Sequence, residues 1–417
     1  MKTFPISGSR LERVALTAAF LALFPGFFFY HFLLGTGRIH AFLGGYFAPV
    51  SLAFAFPITV FYIRQLRQNR SRLLPNELYY GGFLAFLCAV AVVNGANGKN
   101  PVIVIAHLLG ALYMANTFIM FKMIDFAHPE VRYPSLLCLL GMSVIIFSYS
   151  VDGVFRMDAM GLALDPSALS TYQGLARSYL VNCLCVVAYT RNLPLRACLY
   201  VVGAISLFLN TARSEFVALL FAIPFIEFYF ARHKTVFAIV IALIASLIAM
   251  NLDHLLSMMP DNRIMELLDL SHSTSAIARR HLAELAMRTI STYPIFGDYA
   301  SYAPGHYAHN IMSAWVDLGL FGFIYLVALL ALPTVSMLVR GYFSREDNGD
   351  LILGFSMACA TILLLIKSHF FTDMLVGGML GAYSRYRLKG KYSKERITES
   401  GPSAPAPLHE AVPHRSG

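Results

Sequence analysis

The sequence predicts an all-α, polytopic integral membrane protein, with about twelve spanning helices and one large helical loop on the outer side. Three observations carry this. Hydrophobic residues make up 57% of the 417, charged residues only 13%, and the mean hydropathy is +0.62. A soluble domain has about a quarter of its residues charged, so in water this chain would lack polar surface to cover itself. Runs of about 20 apolar residues, each able to cross a hydrocarbon core of about 30 Å, recur along the chain. The lysines and arginines between those runs also fall predominantly on alternate sides.

The runs place spans near 14–34, 46–63, 77–93, 101–121, 135–151, 173–189, 196–210, 216–231, 235–250, 310–335, 351–368 and 374–386. The first follows Lys2, Arg10 and Arg13. It is too long for a signal peptide, no small-x-small cleavage site closes it, and more spans follow, so it reads as an uncleaved first span. With the N-terminus inside, 22 of the 32 lysines and arginines lie on the inner side. The positive-inside rule then puts both termini in the cytoplasm. Four regions result: spans one to nine over 1–250, an outer loop over 251–309, the last three spans over 310–386, and a basic, Pro-rich tail over 387–417. The tail after Ser400 has a composition that resists folding.

The net charge of +9 comes mostly from this inside bias and the tail. It is not gathered on one soluble face, which excludes a nucleic-acid partner and leaves membrane lipid as the surrounding medium. The six cysteines all lie within apolar runs, placed for neither a disulfide nor a metal site. No direct or inverted repeat points to a transporter.

Chemistry is expected in the outer loop, because long loops in compact proteins are functional or disordered and this one carries helical patterns. Leu255, Met258 and Met259 form a short apolar stripe suited to the membrane surface. Over 276–292, Arg280, Glu284 and Arg288 recur at i, i+4 and i+8, a ladder worth about 0.2–0.5 kcal/mol per pair. Arg280 and Arg288 thereby have a structural reason. Arg279 lies about 100° around the helix and has none, so it is the stronger ligand-binding candidate. His309 directly precedes the apolar run that begins near Ile311. At a helix N-terminus the dipole disfavours imidazolium, which keeps the ring able to accept a proton. The free N–H groups there favour a phosphate. A histidine titrating near working pH is the usual general base. A cap or an interface residue is the plainer alternative, and His306 is a second candidate for the same role or a partner to it.

Arg213, in Asn210-Thr211-Ala212-Arg213-Ser214-Glu215, sits between two short spans close to hydrocarbon, where an ionisable group is costly and paired or functional. An ion pair with Glu215 is its plain explanation. Lys367, His369 and Asp373 form another outer cluster, which snorkelling or mutual pairing explains about as well as function does. Asp317 lies within a span, where a carboxylate faces protein or water; it either lines a cleft or holds structure.

In order along the chain, Arg279, Pro294-x-Phe296-Gly297, His309-Asn310 and Asp317-Leu318-Gly319-x-x-Gly322 resemble the outer-loop signature of the O-antigen ligase and polymerase superfamily. Thr211-Ala212-Arg213-Ser214 resembles that superfamily's earlier Ser-Arg-Gly element. The likeness covers about 110 residues. It departs at Asp317 (usually Glu), at Ser214 (commonly Gly), and at Asp298-Tyr299 after the turn. The resemblance implies a glycosyltransferase of GT-C-like architecture in the bacterial inner membrane, with a periplasmic active site and neither metal nor cofactor. The donor would be an undecaprenyl-diphosphate-linked glycan. His309 would be the catalytic base, and Arg213 and Arg279 would bind the donor diphosphate. His306, Arg280, Asn310, Asp317 and Lys367 would be secondary. The outer loop shows no paired carboxylates at a spacing that suggests double displacement, so a single inverting displacement is expected. The favoured expectation is O-antigen ligation to a lipid A–core sugar in lipopolysaccharide biosynthesis. An O-antigen or exopolysaccharide polymerase and a protein O-oligosaccharyltransferase share the donor chemistry. A lipid-linked glycan transporter is the reading from a different class.

Overall fold

A computed structural model describes residues 10–43, 45–68, 73–155, 157, 161–163, 169–251, 254, 274–343 and 348–399. Among these residues the secondary structure is helical, apart from one isolated antiparallel bridge between Val151 and Val154. The helices are α1 (Arg10–Gly35), α2 (Phe47–Gln68), α3 (Pro75–Ala96), α4 (Pro101–Met123), α5 (Pro129–Ser148), α6 (Tyr172–Ala188) and α7 (Leu193–Leu209). They continue as α8 (Arg213–Phe230), α9 (Lys234–Met250), α10 (Thr274–Thr292), α11 (Met312–Phe343), α12 (Gly349–Lys367) and α13 (Met374–Glu399). A helix stands at each position where the sequence predicts a span. Seven (α1 to α5, α11 and α12) are long and apolar enough to cross a bilayer, while Leu193–Leu209 and Lys234–Leu247 are apolar but shorter. The chain is an all-α membrane protein.

Local chemistry explains where these helices begin. Proline opens α3, α4 and α5, at a position where a missing N–H costs nothing. Asn100, Asn192 and Asn348 accept hydrogen bonds from the N–H groups of Val102, Leu195 and Asp350. Pro25 inside α1 coincides with one π turn, Ala22–Gly26, whose Ala22 carbonyl accepts from the Tyr46 hydroxyl at 2.8 Å.

Close packing of α13 on α4 sets the centre of the bundle. A Cβ at Gly377 would meet the Met114 carbonyl oxygen at 2.1 Å, and one at Gly381 the Phe118 oxygen at 2.3 Å. Glycines four apart on one helix thus lie against residues four apart on the other, the small-residue contact that lets membrane helices approach closely. One turn beyond, Gly110 of α4 faces Thr372, just before α13. This contact brings the 368–373 linker against the N-terminal half of α4.

Buried charges gather at the end of the bundle that carries both described termini. Lys122 pairs with Glu77 at 2.8 Å, Arg385 with Asp350 at 2.9 Å, and Arg196 forks onto Glu227. Each is held by a partner, as a low-dielectric site demands.

Three expectations are corrected. The run predicted over 310–335 is one helix to Phe343 but breaks at Gly319, whose φ of 70° is non-helical. The region read as a tail from 387 continues α13 to Glu399, because Arg385, Asp350 and Lys389 anchor it on α12. The Arg280–Glu284–Arg288 ladder forms no ion pair among the described residues. The Leu255, Met258 and Met259 stripe and the tail after Ser400 lie outside the described residues.

Candidate functional site

α10 lies on α11 through an apolar patch of Ala286, Ile290, Ala308 and Val316, with Tyr302, Met312 and Trp315 packed against it. The turn after α10 is locked to α11 by hydrogen bonds. Trp315 Nε1 donates to Pro294 O at 2.7 Å, Asp298 N to Val316 O at 2.8 Å, and Leu320 N to Ile295 O at 3.0 Å. The last bond is available because the break at Gly319 releases the N–H of Leu320 from the helix. Gly297 (φ 69°) fits against this break: a Cβ there would meet Val316 O at 2.3 Å, and one at Gly319 would meet Ile295 O at 2.2 Å. The Pro294-x-Phe296-Gly297 turn and the Asp317-Leu318-Gly319 segment are two halves of one interlock.

Asp317 completes it. Fully buried, its carboxylate accepts from Ala300 N at 2.9 Å and from the Tyr302 hydroxyl at 2.7 Å, and lies 3.6 Å from His107 Nε2. These contacts hold the 298–302 loop, so Asp317 takes the structural of its two expected roles. Asp317→Ala leaves two part-buried donors unpaired, at up to about 1–3 kcal/mol each. We expect a clear drop in the thermal unfolding midpoint of purified protein, and a smaller drop for Asp317→Asn, which keeps an acceptor oxygen.

Above this interlock a cavity of about 350 Å³ opens at the end of the bundle opposite the termini. It is enclosed by the first turns of α4 and α6, the 302–309 loop and the 368–373 linker, and its polar wall includes His107, Arg177, Tyr307, His309, His369 and Asp373. His309 is half-buried, with its ring 4.6 Å from that of Tyr307. Burial first, then the positive charges of Arg279 and His369, hold its pKa below the ordinary histidine value. The expected direction of that shift is present, with burial as the main cause where the helix dipole was expected.

The other residues singled out from the sequence divide. Arg279 is half-buried and acts electrostatically on His309, whereas Arg280 is exposed. Asn310 serves as a cap: its Oδ1 accepts from Met312 N at 3.0 Å. His306 is exposed, with Nδ1 3.3 Å from Pro304 O, and belongs to a separate cavity beside Arg288 and Thr289. Lys367 is exposed and does not line the cavity of His309.

Arg213 is the first residue of α8 and is half-buried. Its neighbour Glu215 joins a buried array. Glu215 Oε1 lies 3.1 Å from His369 Nε2, His369 Nδ1 lies 2.7 Å from Asp373 Oδ2, and Arg177 Nη1 lies 3.1 Å from the same oxygen. Ser214 donates to the second Glu215 oxygen at 2.7 Å. Burial and Arg177 oppose a proton on His369, but Asp373 and Glu215 outweigh them and raise its pKa. Asp373 pays a burial penalty, yet Arg177 and His369 hold its pKa well below the carboxylate range. Sequence reasoning named Glu215 only as a pairing partner, left His369 and Asp373 as a cluster that pairing and function explain equally well, and missed Arg177, His107 and Tyr307. The signal for two of these was present, since Arg177 and His107 are ionisable groups within apolar helices. Among the described residues, no three His, Cys, Asp or Glu side chains are placed to share a metal ion.

No model of a known protein family matches the chain, and no curated protein matches it either.

Proposed function

We propose that the protein is an inverting glycosyltransferase that moves a glycan from undecaprenyl diphosphate to a sugar hydroxyl, as an O-antigen ligase does with lipid A–core. The observation that carries this is a His309 on the wall of a cavity at the helix ends, which Arg177 also lines, with its pKa lowered by burial and by the charge of Arg279, itself outside the cavity lining. In this reading the chain crosses the inner membrane twelve times with both termini cytoplasmic. The cavity then faces the periplasm, where a lipid-borne donor can enter sideways from the bilayer.

His309 takes the proton of the acceptor hydroxyl as that oxygen attacks the anomeric carbon. The carbon–oxygen bond to the diphosphate breaks, and its electron pair leaves with the lipid diphosphate. Arg213 and Arg279 receive the growing negative charge through charge-assisted hydrogen bonds. One displacement inverts the anomeric centre, and no step needs a metal or a cofactor. A transporter would want charged groups at mid-membrane depth along a path. Here the buried ion pairs of the described residues gather at the two ends of the bundle, which favours the transferase.

The test is the lipopolysaccharide banding pattern of a deletion strain. Loss of all core-attached bands, with undecaprenyl-linked polymer still made, supports the ligase. A single-repeat band with the long ladder gone supports a polymerase. An unchanged pattern points to protein glycosylation or transport. In the same strain, Arg279→Ala is expected to fail to restore the bands and Arg280→Ala to restore them. The reverse result would overturn the assignment of the helix face.

A further inference from the structure

Arg177 is a cation that sequence reasoning passed over, and it stands on the wall of the same cavity as His309. Its guanidinium forms an ion pair with Asp373, Nη1 to Oδ2 at 3.1 Å, while its buried Nε donates to nothing in the protein. A guanidinium has five donors in a fixed fork, and a buried donor left without an acceptor is unfavourable. Asp373 is not free to satisfy more of that fork. The oxygen it offers Arg177 also meets His369 Nδ1 at 2.7 Å, and its other oxygen accepts from Leu375 N at 2.9 Å. His369 is in turn fixed by Glu215 on its far nitrogen. The array therefore holds Arg177 by one edge at the cavity wall and leaves the rest of the fork for an incoming acceptor of hydrogen bonds.

We propose that Arg177 is a third phosphate-binding arginine of the donor site, clamped in place by Asp373, His369 and Glu215. This rests on the transferase reading above. Three properties identify an anionic, oxygen-rich group as its ligand: a planar fork suits phosphate geometry, the cavity is partly closed to water, and His309 stands in the same wall to receive the acceptor's proton. Glu215, two residues after Arg213, belongs to the clamp. One array thus ties the first turn of α8, which carries Arg213, to the wall that carries Arg177. Asp373 and His369 are positioning residues here and touch no ligand.

The experiment uses full-length protein in lipid nanodiscs and measures binding without turnover. The probes are undecaprenyl diphosphate in the disc and inorganic pyrophosphate in solution. Wild-type protein is compared with Arg177→Lys, which keeps the charge and the Asp373 partner but loses the fork, and with Arg177→Gln. Loss of one charge-assisted bond predicts about ten- to hundredfold weaker binding of undecaprenyl diphosphate for both variants, with the lysine variant the milder. Weaker binding of both probes means that the phosphates themselves are read; weaker binding of the lipid alone means that the headgroup is read in its membrane setting. Either supports the proposal. Unchanged binding of both probes by Arg177→Lys and Arg177→Gln overturns it. In a separate turnover assay, a rise in acceptor KM with donor KM unchanged also overturns it, because Arg177 would then serve the acceptor. Should Arg177→Gln not fold, the lysine variant decides alone. Failure of wild-type protein to bind undecaprenyl diphosphate at all would remove the transferase reading itself, a different outcome from a silent Arg177.

Discussion

His309→Ala is expected to lower glycan transfer by about 10²–10⁴-fold, the usual worth of a general base, while the protein still inserts and folds. The side chain is half-buried on a cavity wall, and its removal opens space without stranding a buried partner. The measurement is single-turnover transfer by purified protein with a labelled lipid-linked donor, alongside a thermal unfolding curve that should barely move. Full activity in this variant would remove His309 from the base role and hand it to His306, which faces the neighbouring cavity.

The pH dependence makes the same assignment in a second way. Burial and the charges of Arg279 and His369 lower the pKa of His309 from the ordinary 6.5. A base works only when deprotonated, so the midpoint of the acid limb of kcat/KM should lie below pH 6.5. Arg279→Gln removes one of the cations that disfavour imidazolium. The acid limb should then move up in pH, toward 6.5, in addition to the loss of donor affinity. A structural role for Arg279 would lower activity and leave the limb where it was.

How much of this was legible depends on what each residue answers to. Helix positions follow from hydrophobic runs and from proline and asparagine at helix starts, which are local, so they agree with the helices found. The different surroundings of Arg279, half-buried, and Arg280, exposed, were legible too, because helical periodicity alone separates the two faces by about 100°. The break at Gly319 was not, since it depends on Ile295 and Gly297 arriving from 24 and 22 residues upstream, the first to accept the freed N–H and the second to pack against the break. Nor was the Glu215–His369–Asp373–Arg177 array, whose members come from α6, α8 and the linker before α13. Sequence spacing pairs Lys367 with His369 and Asp373, but the turn that ends α12 leaves Lys367 exposed and sends His369 inward. Asn310 shows the converse: a residue singled out beside the candidate base is occupied by capping its own helix.

Gly319→Ala is expected to be among the most damaging single-methyl additions in the chain. The backbone there has φ 70° and ψ −175°, a region essentially reserved for glycine, where another residue costs about 1–3 kcal/mol. The new Cβ would also meet Ile295 O at 2.2 Å and the Phe296 backbone at under 3 Å. Relieving that contact means moving the turn, at about 1–3 kcal/mol for overpacking. The two costs together take a large share of a stability of about 5–15 kcal/mol. Movement of the turn has a second consequence. The 293–297 turn links α10, which carries Arg279, to the 298–309 loop, which carries His309, so separating it from α11 frees both from their common support. Transfer per folded molecule should therefore fall as well as the yield of folded protein. Gly81→Ala is the control, because a Cβ at that position in α3 meets nothing within 4 Å. Yield from detergent extraction, unfolding midpoint and transfer per folded molecule, compared across wild type and the two variants, check each part. Wild-type stability in Gly319→Ala would mean that the turn and the helix break are not interlocked, and that the spacing of the two glycine motifs needs another cause.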